Sequence, residues 1–452
     1  MKAWEYGKLR VSDNRKYLCN GDRPFFWLGD TAWLMFAKLT EEEAAVYLRN
    51  RKEKGYTVIQ STLIHEWPQK NRDGANALYK EDYATPDLEG GYWDRVEHMV
   101  SMAEELGIYM ALLPTWGGNV ESGRLHMGNV DAYLDFLLER FGSRPNIIWL
   151  AGGDVKGEAA PEVFCHIGKR LKEESDGHLV GFHPFGRTSS SQWFQEEDWL
   201  DFNMFQSGHR RYDQVVLGAW DDNGKNPNQY GEDNWRYVQA DLAKTPLKPT
   251  IDGEPSYEQI VHGLHDNTQP YWQSWDTRRY AYWSVFAGAF GHTFGDNAIM
   301  QFFRKDLEKE GAFGVWQDWR EALHNIGGMQ MGHLKHLMES VDYQNGCAAQ
   351  NLVTEGDGEA YERIAVFAGK DYIFCYDYTG HPFTLDLESY EGTFDTYWMD
   401  PVTGVFSYAG CTEGKQKHPF CPMKRLEGHS DWVLVLKKQN KKHKLGGHID
   451  IF

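Results

Sequence analysis

The feature that most constrains this chain is an alternation. From about Pro24 to Gln301, eight short apolar runs are separated by polar stretches, several with helical periodicity. The runs are "PFFWLGD", "TVIQSTL", "YMALLPTW", "NIIWLAGGD", "LVGFHPFG", "DFNMFQSGH", "PTIDGEP" and "GAFGHTFGDN". They are apolar along their length rather than at every second residue. That predicts strands of a parallel sheet covered on both faces. In "LTEEEAAVYLRNRKEKG", Thr40 and Glu43 have capping-box spacing, acids open the segment, bases end it, and Gly55 closes it. Val96, Met99, Val100 and Ala103 share one face of the next helix, which ends at Gly107. Asn129 can cap "VDAYLDFLLERFG", and Val163, Ile167 and Leu171 mark another helix. Eight βα units in one chain favour a closed (β/α)8 TIM barrel over residues 1–340, with an open doubly wound sheet as the alternative. The segment Asp213–Asp233 reads as an insertion over one rim.

After Ser340 the helical period disappears. "ERIAVFAGKDYIFCYDYTGHPFTLDL", "GTFDTYWMDPVTGVFSYAG" and "DWVLVLKK" are strands separated by turn residues. They predict a small all-β sandwich over 341–437, followed by a polar, basic tail at 438–452.

Composition narrows the function. A net charge of −19 argues against binding a phosphate backbone, which needs clustered Lys and Arg, so no nucleic-acid partner is expected. No apolar run is long enough for a membrane span. "MKAWEYGKLRVSDNRKYL" lacks the apolar core of a signal peptide, so a cytoplasmic chain is expected, or one whose leader has been removed. The six cysteines are scattered without a CxxC and read as free thiols, although Cys411 and Cys421 could pair in an oxidising compartment. Aromatic residues make up 15% of the chain; core packing accounts for most of them, and the faces of the others suit sugar C–H groups.

In a barrel of this kind, catalytic groups sit where the strands end. The predicted strand ends carry Asp30, His65, Glu66, Trp116, Asp154, His183, Gln206, His209, Glu254, His292 and Asp296. Carboxylates, imidazoles and aromatics together are the composition of a carbohydrate-processing cleft. Two of these residues stand out. Asp154 ends "IIWLAGGD" and Glu254 ends "TIDGE"; each follows a glycine and interrupts an otherwise apolar run. Strands four and seven lie on opposite sides of a small barrel, so the two carboxyls would face each other across its mouth. Glycosidic cleavage needs such a pair, one protonated and one ionised. Other chemistries find no support: HExxH, GxxxxGKS, GxGxxG and GxSxG are all missing. "HGLHD" places His262 and His265 one helical turn apart but offers no third metal ligand. No metal and no cofactor are expected, because two carboxylates suffice.

"PFFWLGDTAW", "NIIWLAGGD", "LDFNMFQSGHRRY", "KPTIDGEPSYE" and "RRYAYWSVFAGAFGHTFGDNAIMQF" resemble the apiosidase-like glycoside hydrolases, and the likeness spans nearly the whole chain. Its β-rich end resembles domains that carry a collagen-binding label. The resemblance implies a retaining exo-β-glycosidase that releases a terminal pentofuranose, with apiose as the expected sugar, from plant glycans or glycosides. It implies Asp154 as general acid/base and Glu254 as nucleophile. Asp30, His65, Trp116, His183, Gln206, His292 and Asp296 are then candidates for the sugar pocket. Most relatives in the wider clan have Asn-Glu where this chain has Gly153-Asp154, so the contact that the Asn makes to the sugar's 2-hydroxyl must come from elsewhere. Two other readings stay open: an arabinofuranosidase-type enzyme, and a carbohydrate-binding barrel without activity.

Overall fold

The computed structural model describes residues 1–218, 221, 223–226, 229–425 and 428–439. Its centre is a parallel eight-stranded sheet: β1 Trp27–Thr31, β2 Val58–Thr62, β3 Tyr109–Leu113, β4 Ile147–Val155, β5 Val180–Pro184, β6 Asn203–Phe205, β7 Thr250–Asp252 and β8 Gly291–Phe294. The ladder runs β5-β4-β3-β2-β1-β8-β7-β6. Asp201 closes the remaining seam between β5 and β6. Its N–H donates to the Val180 carbonyl at 2.9 Å, and its carboxylate accepts the Val180 N–H at 2.8 Å. The sheet is therefore a closed barrel, not an open doubly wound one.

Helices alternate with the strands: α1 Glu41–Glu53, α2 Tyr92–Leu106, α3 Val130–Phe141, α4 Pro161–Glu174, α5 Ser191–Phe194, α6 Asn234–Leu242, α7 Ser274–Phe286 and α8 Ile326–Glu339. The capping box that opens α1 is formed, with Thr40 Oγ1 accepting the Glu43 N–H and Glu43 Oε2 accepting the Thr40 N–H. Gly107 ends α2 in the left-handed region, at φ 71°. Asn129 is a correction: its side chain makes no cap bond to α3 and instead accepts the His126 N–H. Before β1, three antiparallel strands (Leu9–Val11, Leu18–Asn20, Arg23–Phe25) cover the N-terminal mouth of the barrel. There Asn20 donates to the Tyr109 hydroxyl, and Trp4 and Phe25 pack edge-on against that ring.

Between Glu339 and Cys347 the chain changes from helix to strand. A six-stranded antiparallel sheet (Cys347–Ala348, Ile364–Ala368, Tyr372–Asp377, Trp432–Lys438, Thr393–Met399, Phe406–Glu413) faces a three-stranded one (Val353–Glu355, Phe383–Asp386, Lys417–Phe420). Ile364, Val366, Ile373, Leu434 and Leu436 fill the space between the two sheets. Alternate residues Phe367, Phe374, Tyr376, Val433 and Val435 pack outward, into the core shared with the barrel. Tyr282 of α7 stacks on Tyr376 at 4.5 Å, and Phe286 meets Phe374 at 6.2 Å. Cys411 and Cys421 are unbridged. Part of the Asp213–Asp233 segment, and the tail beyond Gln439, lie outside the described residues.

Candidate active site

The carboxyl-bearing bulge at the end of β4 follows from two glycines. Gly152 and Gly153 have φ 86° and 115°, and Asp154 itself has φ 48°. A Cβ on Gly152 would stand 2.4 Å from the His183 carbonyl, and one on Gly153 2.9 Å from the Gly117 nitrogen. The register against β5 slips between Gly152 and Val155. Such a bulge re-aims a side chain, and here it turns Asp154 into the cleft. Asp154 is the one exposed residue of an otherwise buried strand.

Glu254 arrives from the opposite wall, beyond the end of β7, and is only 8% exposed. His209 Nε2 is bonded to its Oε1 at 2.9 Å. His183 Nε2 stands 3.3 Å from its Oε2, within ion-pair range but not aligned as a hydrogen bond. The other ring nitrogen of His183, Nδ1, accepts the Asp154 backbone N–H at 3.3 Å. This bond fixes the tautomer, so neutral His183 presents Nε2–H to Glu254. One imidazole thus links the turn that carries Asp154 to the carboxylate of Glu254. His209 holds φ 77°, a left-handed conformation that a non-glycine residue adopts at a cost.

The two carboxyls differ in proton affinity. Protein packed around Asp154 and the nearby charge of Glu254 raise its pKa well above the usual carboxylate range, and Gln206 and the Gly186 backbone offset part of this. Solvent in the cleft weakens the first of these causes, while the like charge still drives the shift upward. Burial also acts to raise Glu254, but the ring N–H groups that His183 and His209 turn toward it outweigh this and hold that carboxyl below its ordinary value.

Both carboxyls line one cavity of about 610 Å³. Trp33, His65, Trp116, Phe185, Tyr257 and Phe313 supply aromatic surface to its wall. Trp116 lies against His65 at 4.6 Å and meets Trp33 edge-on at 5.2 Å. Of the residues expected from the sequence, Asp154, Glu254, His65, Trp116 and Gln206 line this cavity. His183 is fully buried directly behind the pair.

Besides His183, three expected residues do not reach the cavity. Asp30 is wholly buried and accepts from the Tyr47 hydroxyl at 2.6 Å and Arg51 Nε at 2.5 Å, both on α1, so it ties strand to helix. His292 is buried outside the cavity, and burial lowers its pKa to about 3, so the ring stays neutral. Asp296 caps the short helix Asn297–Met300 by accepting the Ala298 and Ile299 N–H groups, and it also accepts from Asn325. "HGLHD" is an irregular loop rather than a helical turn. His262 packs on Trp272 at 4.2 Å, whereas His265 lines the cavity. Among the described residues, no group of three or more His, Cys, Asp or Glu side chains could hold a metal ion.

Sequence reasoning missed Trp33, Arg187, Arg210, Tyr257 and Phe313. Tyr257 had a signal, because it sits three residues past Glu254; its ring meets His209 edge-on at 4.8 Å.

Comparison with known proteins gives this geometry a family. The model of the apiosidase-like catalytic domain matches residues 12–345, and that of the "putative collagen-binding domain of a collagenase" matches 348–437. A solved structure described as a glycoside hydrolase is 39% identical, with 97% of this chain and 98% of that one covered at a TM-score of 0.90. A glycoside hydrolase family 5 structure from Bacteroides vulgatus is 38% identical, covering 97% of this chain and 95% of its own, also at 0.90. No curated protein matches the chain. The chain, with its closed barrel, C-terminal β domain and carboxyl-lined cavity, belongs to the apiosidase-like glycoside hydrolases.

Proposed function

We propose that the protein is a retaining exo-β-glycosidase that removes a terminal pentofuranose, with apiose the leading candidate, from plant glycans or glycosides. One observation carries this reading: two carboxyls of opposite proton affinity line a single cavity. Asp154, protonated, gives its proton to the leaving oxygen, while Glu254, ionised, attacks the anomeric carbon. Water then cleaves the glycosyl-enzyme, with Asp154 now acting as base. The segment from Glu308 to Phe313 contributes to the wall beside the pair, which favours a pocket for one terminal sugar over an open groove.

A panel of nitrophenyl pentofuranosides, followed by proton NMR of the nascent product, tests this. Release of apiose with the β configuration first formed is expected. An initially inverted anomer would rule out attack by Glu254. Turnover of arabinofuranosides alone would replace the sugar and leave the class standing.

A further inference from the structure

Among the described residues, the cavity wall contains a buried cation that joins no ion pair. Arg187 lies on the loop after β5, between Gly186 and Thr188, and is 4% exposed. Its Nε is buried and meets no acceptor. Among the described residues, no carboxylate comes within ion-pair distance of its guanidinium. The neighbouring cavity arginine, Arg210, already engages the nearby acid, Asp221. Leaving a guanidinium buried and unmatched is costly, more so beside a second cation. Among the described residues, no strand or helix of the barrel hydrogen-bonds the Arg187 side chain, so the packing of the barrel does not account for that cost. The cavity does, because Arg187 lines the same wall as Asp154 and Gln206.

We propose that Arg187 binds the sugar itself, its guanidinium fork donating to two adjacent hydroxyl oxygens of the ring whose anomeric carbon reacts. Vicinal hydroxyls present two acceptors at a spacing that suits two parallel N–H bonds. The assignment rests on the glycosidase reading. It also supplies a sugar contact on the acid/base side, where Gly153 offers no side chain. Lysine would keep the charge but not the fork.

The test compares wild type, Arg187→Met and Arg187→Lys on 4-nitrophenyl β-apioside and its 2-deoxy analogue. A hydrogen bond to a charged donor predicts that removing the hydroxyl lowers wild-type kcat/KM roughly 10- to 100-fold. Arg187→Met should begin lower by a similar factor and lose less than about threefold more, since the donor is already absent. Arg187→Lys should fall between the two. Equal losses in wild type and Arg187→Met overturn the assignment. So does an Arg187→Met enzyme whose only change is an alkaline limb moved to higher pH, because that marks Arg187 as tuning Asp154 from a distance.

A second readout needs no turnover, so a failed glycosidase reading stays distinguishable. Free D-apiose should raise the Tm of the wild type and leave that of Arg187→Met unchanged. An equal rise in both, or none in either, overturns the proposal whatever the enzyme hydrolyses.

Discussion

Glu254 keeps its charge because two imidazoles face it, and that dependence is measurable. His209 Nε2 bonds to Oε1, so His209→Ala removes a partner of the ionised form and the Glu254 pKa must rise. The acidic limb of kcat/KM should therefore move to higher pH, while the alkaline limb, set by loss of the Asp154 proton, should stay. A pH profile of the variant checks this, and an unmoved acidic limb would show that another group sets it. The two carboxyls should also separate by leaving group. A nitrophenolate departs without a proton, whereas an alkoxide does not. Asp154→Ala should thus lose about 10²–10⁴-fold more on a natural glycoside than on the nitrophenyl one. It should also regain turnover with azide, giving the β-azide. Glu254→Ala should be equally inactive on both substrates, and swapped outcomes would exchange the roles. Both residues were legible in the sequence because each interrupts a buried run directly after a glycine. Asp30, His292 and Asp296 were not separable from the candidates that do line the pocket, His65, Trp116 and Gln206. In a strand covered on both faces, nothing in the sequence marks which side faces the barrel centre and which the helices. Arg187 left no trace at all, because its signal is the absence of a partner.

The bulge at the end of β4 shows what an element adds to a residue. Asp154 reaches the cleft only because β4 bulges through two glycines with positive φ. In Gly153→Ala, the new methyl would press on the Gly117 backbone and also strain the turn. The expected result is a kcat/KM lowered at least about a hundredfold by displacement of the acid, with a loss of stability of roughly 1–3 kcal/mol. Kinetics and a thermal melt on the same sample check it; near-normal activity would show that the turn tolerates a side chain. The strands and the amphipathic α2, α3 and α4 were readable from pattern. Helix α7 was harder, since no polar stripe survives when one face meets the barrel and the other the β domain. Even Arg278 and Arg279 are buried in it. The three strands that cover the barrel bottom escaped notice because each is only three residues long and none belongs to the strand–helix alternation that marks the barrel strands.

At the scale of the whole molecule, the change of texture near Ser340 was plain, but the intimacy of the two parts was not. The six-stranded sheet has two apolar faces, and only one can be covered by its small partner sheet; the other needs α7 and α8. Polar groups lock the contact. Arg278 donates through Nε and Nη2 to Asp431 at 2.7 and 2.8 Å, and the Tyr376 hydroxyl donates to the same carboxylate. Tyr361 donates to Glu232, which also holds Arg279, so the β domain reaches the segment that follows β6. A buried pair stripped of one partner leaves an uncompensated charge. Arg278→Met should therefore cost roughly 3–5 kcal/mol, and the double variant Arg278→Met/Asp431→Leu should recover much of that loss. Truncation after Ser340 removes Asp431 together with the sheet and leaves Arg278 without its partner. It would leave Tyr282 and Phe286 facing water alongside the rest of that surface, a patch that promotes association. The barrel alone should then aggregate or melt at a lower temperature than the full chain, even though Asp154, Glu254 and both imidazoles remain in it. Sedimentation and thermal melts of the two proteins decide the matter. A monomeric fragment with the stability and activity of the full chain would mean that the β domain is an appendage, and that the buried Arg278–Asp431 pair does not hold the barrel's shape.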